Sequence, residues 1–269
     1  MLLLVDLDGV VYRGRRPVPG VAEVLRRRAA AGDRVIYVTN NSRSHRDEYH
    51  ARLAELGLPL ADDSIVTAAR ATALLLADEV PPPRLAMVLG GTGLARELRD
   101  ARLRVVAPTE RGLAADPDVL VVGVDFRLTY ARLSVAAEAV RRGARFVATN
   151  RDRAYPAAER LTAGAGAIVA AVAVAAGREP DLVVGKPEPR LFQAAAELAG
   201  VAARDAVVIG DNLATDVAAA RAVGARSVLM LTGVSTAADV EAAPRDTRPT
   251  AVAADAAELE RRLEELAAG

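Results

Sequence analysis

Short runs of Val, Leu and Ile alternate along the chain with longer Ala-, Arg-, Glu- and Leu-rich stretches of helical period. Unbroken apolar runs are what strands need when helices cover both faces of a parallel sheet. The pattern predicts one set of strands at 2–7 (LLLVDL), 34–40 (RVIYVTN), 181–185 (DLVVG), 206–211 (AVVIGD) and 226–231 (RSVLML). It predicts a second set at 84–90 (RLAMVLG), 118–124 (DVLVVGV) and 145–150 (RFVATN). The stretches VAEVLRRRAAAG, SHRDEYHARLAELG, RLFQAAAELAG and ATDVAAARAVG fit between strands as helices, each closing on the glycine that commonly ends one.

The fold class that follows is α/β, a Rossmann-like doubly wound parallel sheet core interrupted by a second α/β domain. Three consecutive prolines in DEVPPPRL suit a stiff hinge and set the expected division: core at 1–81 and 184–269, insertion at 82–183. GAGAIVAAVAVAAG, from Gly164 to Gly177, is too short and too rich in Ala for a bilayer and reads as a buried helix. The last stretch, AAELERRLEELAAG, reads as a charged surface helix.

Composition narrows the function classes. With 35 acidic and 35 basic residues and 3% aromatics, the chain has neither a basic field nor a stacking platform, which argues against a nucleic-acid partner. The absence of cysteine removes disulfides, thiolate metal sites and a thiol nucleophile. The N-terminal MLLLVDLDGVVYRG has no basic leader, and Asp6 and Asp8 break its apolar run. It reads as neither a signal peptide nor a membrane span, so a cytoplasmic protein without a membrane partner is expected.

In an open parallel sheet, ligands bind beyond the carboxyl ends of the strands, and polar residues collect at those ends here. The first strand runs into Asp6, Leu7, Asp8 and Gly9, and the second into Thr39, Asn40, Asn41 and Ser42. A third ends in Gly185, Lys186 and Pro187, and a fourth in Gly210, Asp211 and Asn212, with Asp216 five residues after Asp211. Asp6 and Asp8, two apart, leave the strand on the same side, and Asp211 adds a third carboxylate. Such a group is costly without a cation, and an all-oxygen set suits Mg²⁺. Lys186 is the only lysine in the chain, the other 34 basic residues being arginine. Taken singly, a strand-end Asp serves as a helix N-cap and TNNS as a turn. Four such segments in this order exceed what capping requires.

DLDGVVYRG, VTNNSR, VVGKPEP and VIGDNLATD, in that order, resemble the four motifs of the haloacid dehalogenase-like hydrolase superfamily. The resemblance is to its large-cap (C2 type) phosphatases, the NagD and p-nitrophenylphosphatase-like group. ATNRD and GAGAIVAAV are similar to segments of that group's inserted α/β cap domain, although Ala163 stands where the family often has Pro.

The resemblance implies a Mg²⁺-dependent phosphatase of small phosphate monoesters that works through an aspartyl phosphate. It makes Asp6 the nucleophile and Asp8 the acid/base. Thr39 would donate its hydroxyl, and Asn40 its backbone N–H, to the phosphoryl group, with Lys186 supplying positive charge. Mg²⁺ would be held by Asp6, the Asp8 carbonyl and Asp211. Asp216 would orient Lys186 or a metal-bound water, and Asn212 would either position the metal loop or make a loop hydrogen bond. Arg43 and Arg13, together with Asn150 and Asp152 in TNRD, are the candidates for substrate contacts.

The substrate class implied is a small phosphorylated metabolite: a sugar phosphate, glycerol phosphate, phosphoglycolate, pyridoxal phosphate or nucleoside monophosphate. The resemblance also leaves room for a homodimer formed through the cap. Two alternatives stand beside it, a phosphotransferase or phosphomutase of the same superfamily and a non-enzymatic receiver-like phospho-Asp module. GGTGLARE, at 90–97, lacks the third small residue of a dinucleotide loop because Arg96 occupies that place. EVLRRRAA is expected to form an exposed basic face. His45 and His50, five apart on a charged helix, are expected to face solvent.

Overall fold

The computed structural model describes residues 1–156 and 161–268. They form two compact units, one made of Met1–Thr39, Tyr49–Val66 and Lys186–Gly269, the other of Asn40–Glu48 and Thr67–Gly185. The second unit starts at Thr67, ahead of the expected 82, because helix Ala68–Ala77 packs on helix Thr92–Asp100. It also includes the short segment 40–48, which the sequence reading placed in the core.

The first unit is built on a six-stranded sheet in the order Ala251–Ala253, Arg226–Met230, Ala206–Gly210, Leu2–Asp6, Arg34–Thr39, Ile65–Thr67. Strand Leu2–Asp6 pairs in parallel with a neighbour on each side, Leu2 opposite Ala206 on one and Arg34 on the other. All five of its residues are buried, as a strand covered on both faces requires. Val5 lies opposite Ile209 and Asp6 opposite Val38, so Asp6, Thr39 and Asp211 reach one edge of the sheet at nearly the same level. The order in which strands are added reverses around Leu2–Asp6, and that reversal opens a crevice at the carboxyl ends. The final helix, Ala256–Ala268, inserts Leu259 and Leu263 into the core beneath, each worth about 2 kcal/mol of burial, and turns its charged side outward.

The second unit has a five-stranded sheet, Leu182–Val183, Arg145–Ala148, Val119–Val122, Ala86–Leu89, Val105–Val106, again with parallel pairing. The run 181–185, expected in the first sheet, belongs here: Leu182 lies opposite Val147 and Val183 opposite Ala148. A short apolar run carries no label for its partner, and Asp181 settles the pairing through its N–H to the Phe146 carbonyl and its carboxylate to the Phe146 N–H. The Ala-rich helix Ala165–Ala176 is buried on one face only, at Ala165, Ile168, Val169, Val172 and Ala173, while Val174 is exposed. Among the described residues no helix is long and apolar enough to cross a membrane.

Candidate active site

The chain leaves strand Leu2–Asp6 through a tight turn in which Gly9 donates to the Tyr12 carbonyl (2.7 Å) and Val11 to that of Leu7 (2.9 Å). Leu7 points into the core, so Asp6 and Asp8 flank it as the spacing predicts. Gly9 has φ +85°, and a Cβ there would stand 2.2 Å from Asp211 Oδ2, so both the turn and the approach of Asp211 require glycine.

Lys186 is buried and bridges two carboxylates, its Nζ donating to Asp6 Oδ1 at 2.5 Å and to Asp216 Oδ1 at 2.7 Å. The other oxygen of Asp216 accepts from the Asn212 N–H at 3.2 Å. Asn212 turns its own side-chain oxygen onto the Ala214 N–H (2.9 Å) and caps the turn that carries Asp216. Asp6, Asp211 and Asp216 can each place a carboxylate oxygen within 4.8 Å of the others. Thr39 ends its strand, buried, one residue past the Asp6 level.

Sequence reasoning missed the loop after strand Arg226–Met230. The Val234 N–H donates to Asp211 Oδ2 (2.7 Å), Ser235 N–H to the Asp211 carbonyl (2.9 Å), and Thr232 Oγ1 to the Gly9 carbonyl (2.6 Å). A Cβ on Gly233 would lie 1.8 Å from Asp211 Oδ2. The signal in the sequence is only TGVS between an apolar run and a helix. Its contribution is made by backbone atoms and a missing side chain, which residue types do not advertise.

Burial drives the electrostatics. It pushes the Asp6 carboxyl well above its ordinary value; Lys186 opposes the shift, while Asp216 and Asp211 add to it. Burial also raises Asp8, against the pull of Arg52 and Lys186. Arg52 lies over the Tyr12 ring, 3.5 Å from its centroid, and donates to the Gly14 carbonyl. Burial and Asp216 raise Asp211 to about 6, although the Val234 N–H and Lys186 hold it back. Burial alone would lower the Lys186 ammonium, but Asp216 and Asp6 carry it above its ordinary value.

A single ammonium therefore faces three crowded carboxylates, and a hard divalent cation such as Mg²⁺ fits the charge left over. Asp216 accepts through both oxygens, from Lys186 and from the Asn212 N–H, whereas Asp6 accepts from Lys186 at Oδ1 and Asp211 from the Val234 N–H at Oδ2, so Asp6 and Asp211 could each offer an oxygen to a metal.

One prediction follows from this crowding. With a chelator present, Asp211→Asn is expected to be more stable than the native chain at pH 7 by up to about 3 kcal/mol. Between the ordinary carboxylate value and about 6, folded Asp211 retains a proton that the unfolded chain has lost, so the native chain loses stability as pH rises. The neutral amide does not titrate, so the gap should close as pH falls towards about 4. Urea melts of both chains across this range test it, and a gap that stays constant or widens towards low pH would refute it.

Asn40, Asn150, Asp152 and Arg43 lie in the second unit. Asn40 donates from Nδ2 to Asp152 Oδ1 (3.0 Å), and its carbonyl accepts from Asn150 Nδ2 (2.7 Å). Asn150 is buried, and its Oδ1 accepts from the Asp152 N–H at 3.1 Å. These two residues thus hold Asn40. Arg43 is exposed, its guanidinium 5.0 Å from the centre of the Phe126 ring, while Asn41 Nδ2 donates to Tyr155 Oη at 3.1 Å. Arg13 is exposed in the first unit. His50 faces solvent as expected, but His45 is buried, its Nε2 2.9 Å from Asp100 Oδ2. Its partner lies 55 residues away, beyond the reach of a reading based on local spacing.

Known proteins resemble this chain in sequence and in fold. Residues 3–104 match the model of the haloacid dehalogenase-like hydrolases, and residues 183–259 match a second, HAD-hydrolase-like model. D-glycerol 3-phosphate phosphatase of Mycobacterium tuberculosis is 38% identical over 253 residues, spanning 94% of this chain and 69% of that protein. The p-nitrophenyl phosphatase from Archaeoglobus fulgidus superimposes with TM-score 0.88 at 33% identity, over 97% of this chain and 98% of that one. The M. tuberculosis glycerol phosphate phosphatase in complex with magnesium gives TM-score 0.86 at 37% identity, over 96% and 75% of the two chains. With its motifs in order, its carboxylates gathered around one lysine and this likeness over nearly its whole length, the chain belongs to the haloacid dehalogenase-like hydrolases, among their NagD and p-nitrophenylphosphatase-like members, and is a phosphoric monoester hydrolase.

Proposed function

We propose that the chain hydrolyses the phosphate monoester of a small soluble metabolite in the cytoplasm, with Asp6 as nucleophile. The observation that carries this reading is the buried Asp6–Lys186–Asp216 bridge at the point where strand order reverses, with Asp211 beside it. Lys186 favours the charged form of Asp6 and aims it, and Asp216 holds Lys186 through its Oδ1. An Asp6 oxygen attacks phosphorus as the bond to the leaving oxygen breaks, and Asp8 gives that oxygen its proton. Asp8 then takes a proton from the water that attacks the aspartyl phosphate; the bond from phosphorus to Asp6 breaks and inorganic phosphate leaves.

A carboxyl lifted by burial suits a group that must hold a proton in one step and accept one in the next. Thr39 Oγ1 and the Asn40 N–H donate to the phosphoryl oxygens. Mg²⁺, held by Asp6, the Asp8 carbonyl and Asp211, would neutralise charge on the phosphate and on the nucleophile.

In this reading the second unit is the cap, and Arg43 supplies it with an exposed cation for an anionic leaving group. Relatives named D-glycerol 3-phosphate phosphatase and acid sugar phosphatase favour a polyol or sugar phosphate among the candidate substrates. They are named as phosphatases, which favours water over a second hydroxyl as the acceptor. The likeness to a p-nitrophenyl phosphatase extends over both units, which leaves little support for a receiver-like module.

Purified protein with Mg²⁺ is expected to release phosphate from p-nitrophenyl phosphate and glycerol 3-phosphate. Chelation should lower the rate by about 10²-fold or more, and added Mg²⁺ should restore it. A rate indifferent to chelator would remove the metal from this reading, and no release across a panel of phosphorylated metabolites would remove the reading itself.

A further inference from the structure

The glycines of GGTGLARE resemble a nucleotide loop in composition, yet they hold a piece of the chain itself. In the second unit's sheet, strand order reverses between Ala86–Leu89 and Val119–Val122, which places a crevice where an open parallel sheet ordinarily takes its ligand. Gly91 and Gly93 follow the first of these strands and Gly123 the second.

Residues 42–45 lie against all three glycines. A Cβ on Gly93 would stand 2.3 Å from the Ser44 carbonyl carbon and 2.4 Å from both the Arg43 oxygen and the His45 nitrogen. One on Gly91 would be 2.8 Å from the Arg43 oxygen, and one on Gly123 would be 2.6 Å from Ser42 Oγ. The Gly93 N–H donates to the Arg43 carbonyl (3.0 Å), and Thr149 Oγ1 to Ser42 Oγ (2.9 Å).

Just beyond the glycines, helix Thr92–Asp100 grips the same segment. Glu97 accepts from the Arg46 N–H (2.9 Å) and pairs with the Arg46 guanidinium, while Asp100 accepts from Arg46 Nη2 (3.1 Å) and meets His45. His45, Glu97 and Asp100 could in principle hold a metal, but the Arg46 guanidinium already supplies the positive charge among them. This is a clamp made of protein charges.

The segment so held begins with Asn40, whose carbonyl and side chain are fixed from the same unit by Asn150 and Asp152. Thr39 precedes it directly, and consecutive Cα atoms are only about 3.8 Å apart. We propose that Gly91, Gly93 and Gly123 form a seat for residues 42–46, and that this seat positions the phosphoryl-binding pair Thr39 and Asn40. The proposal rests on the phosphatase reading above. The seat makes no contact with substrate; it sets the register of a loop that does.

Gly93→Ala tests it, because the added carbon meets backbone atoms and pushes residues 43–45 out by about 1 Å, a displacement that can cost about 10²-fold when it reaches reacting groups. The inhibition constant of inorganic phosphate and KM for p-nitrophenyl phosphate should both rise by about that factor. Mg²⁺ affinity measured by calorimetry should be unchanged, a separation that general loosening of the fold would not produce. A folded Gly93→Ala whose phosphate inhibition constant stays within about twofold of the native value overturns the proposal.

A second pair of variants decides the matter if Gly93→Ala does not fold. Gly123→Ala meets the Ser42 hydroxyl, so Gly123→Ala with Ser42→Ala should recover the phosphate affinity that Gly123→Ala loses. No loss in the single variant, or no recovery in the double, overturns the seat. Asp6→Asn separates the two levels: if it is inactive and the seat variants behave as native, the seat fails and the phosphatase reading stands.

Discussion

Asp6→Asn is expected to lower Mg²⁺-dependent phosphate release by about 10⁴-fold or more, with the fold intact. The amide occupies nearly the volume of the carboxylate, so neither packing nor the strand end changes. Its oxygen can still accept from Lys186 Nζ, and Lys186 keeps its bond to Asp216 at 2.7 Å. What disappears is the anionic oxygen that forms the bond to phosphorus, and no other group of this chain is assigned that role. Removing one of three crowded buried carboxylates also relieves repulsion, so the metal-free variant should melt no lower than the native chain. The measurement is a steady-state rate on p-nitrophenyl phosphate, with a melting curve on the same preparation. A folded variant within about tenfold of the native rate would remove Asp6 as nucleophile and with it the covalent route.

Much of this site is legible in the sequence because its chemistry requires particular side chains at strand ends. Asp6 and Asp8 straddle a core leucine, and Lys186 stands out in a chain that otherwise uses arginine for every basic position. Eight strands of the two parallel sheets could be placed because their apolar runs are unbroken, while the short Ile65–Thr67, Val105–Val106 and Ala251–Ala253 could not. What the sequence conceals is pairing over distance. The run at 181–185 is an acceptable strand for either sheet, and only its bonds to Phe146 decide which. His45 stands just ahead of the charged helix Arg46–Glu55, and nothing local shows that Glu97 and Asp100 will cover it.

Backbone contributions are hidden in the same way. The Val234 N–H and the space left by Gly233 hold Asp211 in place, yet they read as an ordinary loop. The glycines at 91 and 93 suggest a nucleotide by their spacing, and their actual neighbour is a stretch of the same chain about fifty residues earlier. Asn150 shows the limit from the other side. A polar residue at a strand end invites a substrate role, while its amide is engaged with the Asn40 carbonyl.

Replacing Lys186 is expected to have two separable effects. Lys186→Arg keeps the charge but brings a planar fork into a place where one ammonium nitrogen reaches Asp6 at 2.5 Å and Asp216 at 2.7 Å while 4% exposed. The wider group displaces Asp6 from its line of attack, and kcat/KM should fall by about 10²-fold or more, with stability little changed.

Lys186→Met removes the charge as well and leaves Asp6 and Asp216 buried without their cation. Loss of one partner from a buried ion pair costs about 3–5 kcal/mol, and the metal-free chain should lose an amount of this order at pH 7. Without the ammonium the folded Asp6 carboxyl holds its proton to still higher pH than in the native chain, where it is already raised. Once pH passes the native Asp6 value, the folded variant keeps a proton that the folded native chain has lost. Its deficit should therefore grow as pH rises past that value and shrink as pH falls below it. Urea melts of the native chain, Lys186→Arg and Lys186→Met at several pH values separate the steric effect from the electrostatic one. If Lys186→Arg retains native kcat/KM, the site does not need a compact ammonium; if the Lys186→Met deficit is independent of pH, the ammonium is not what offsets the buried carboxylates.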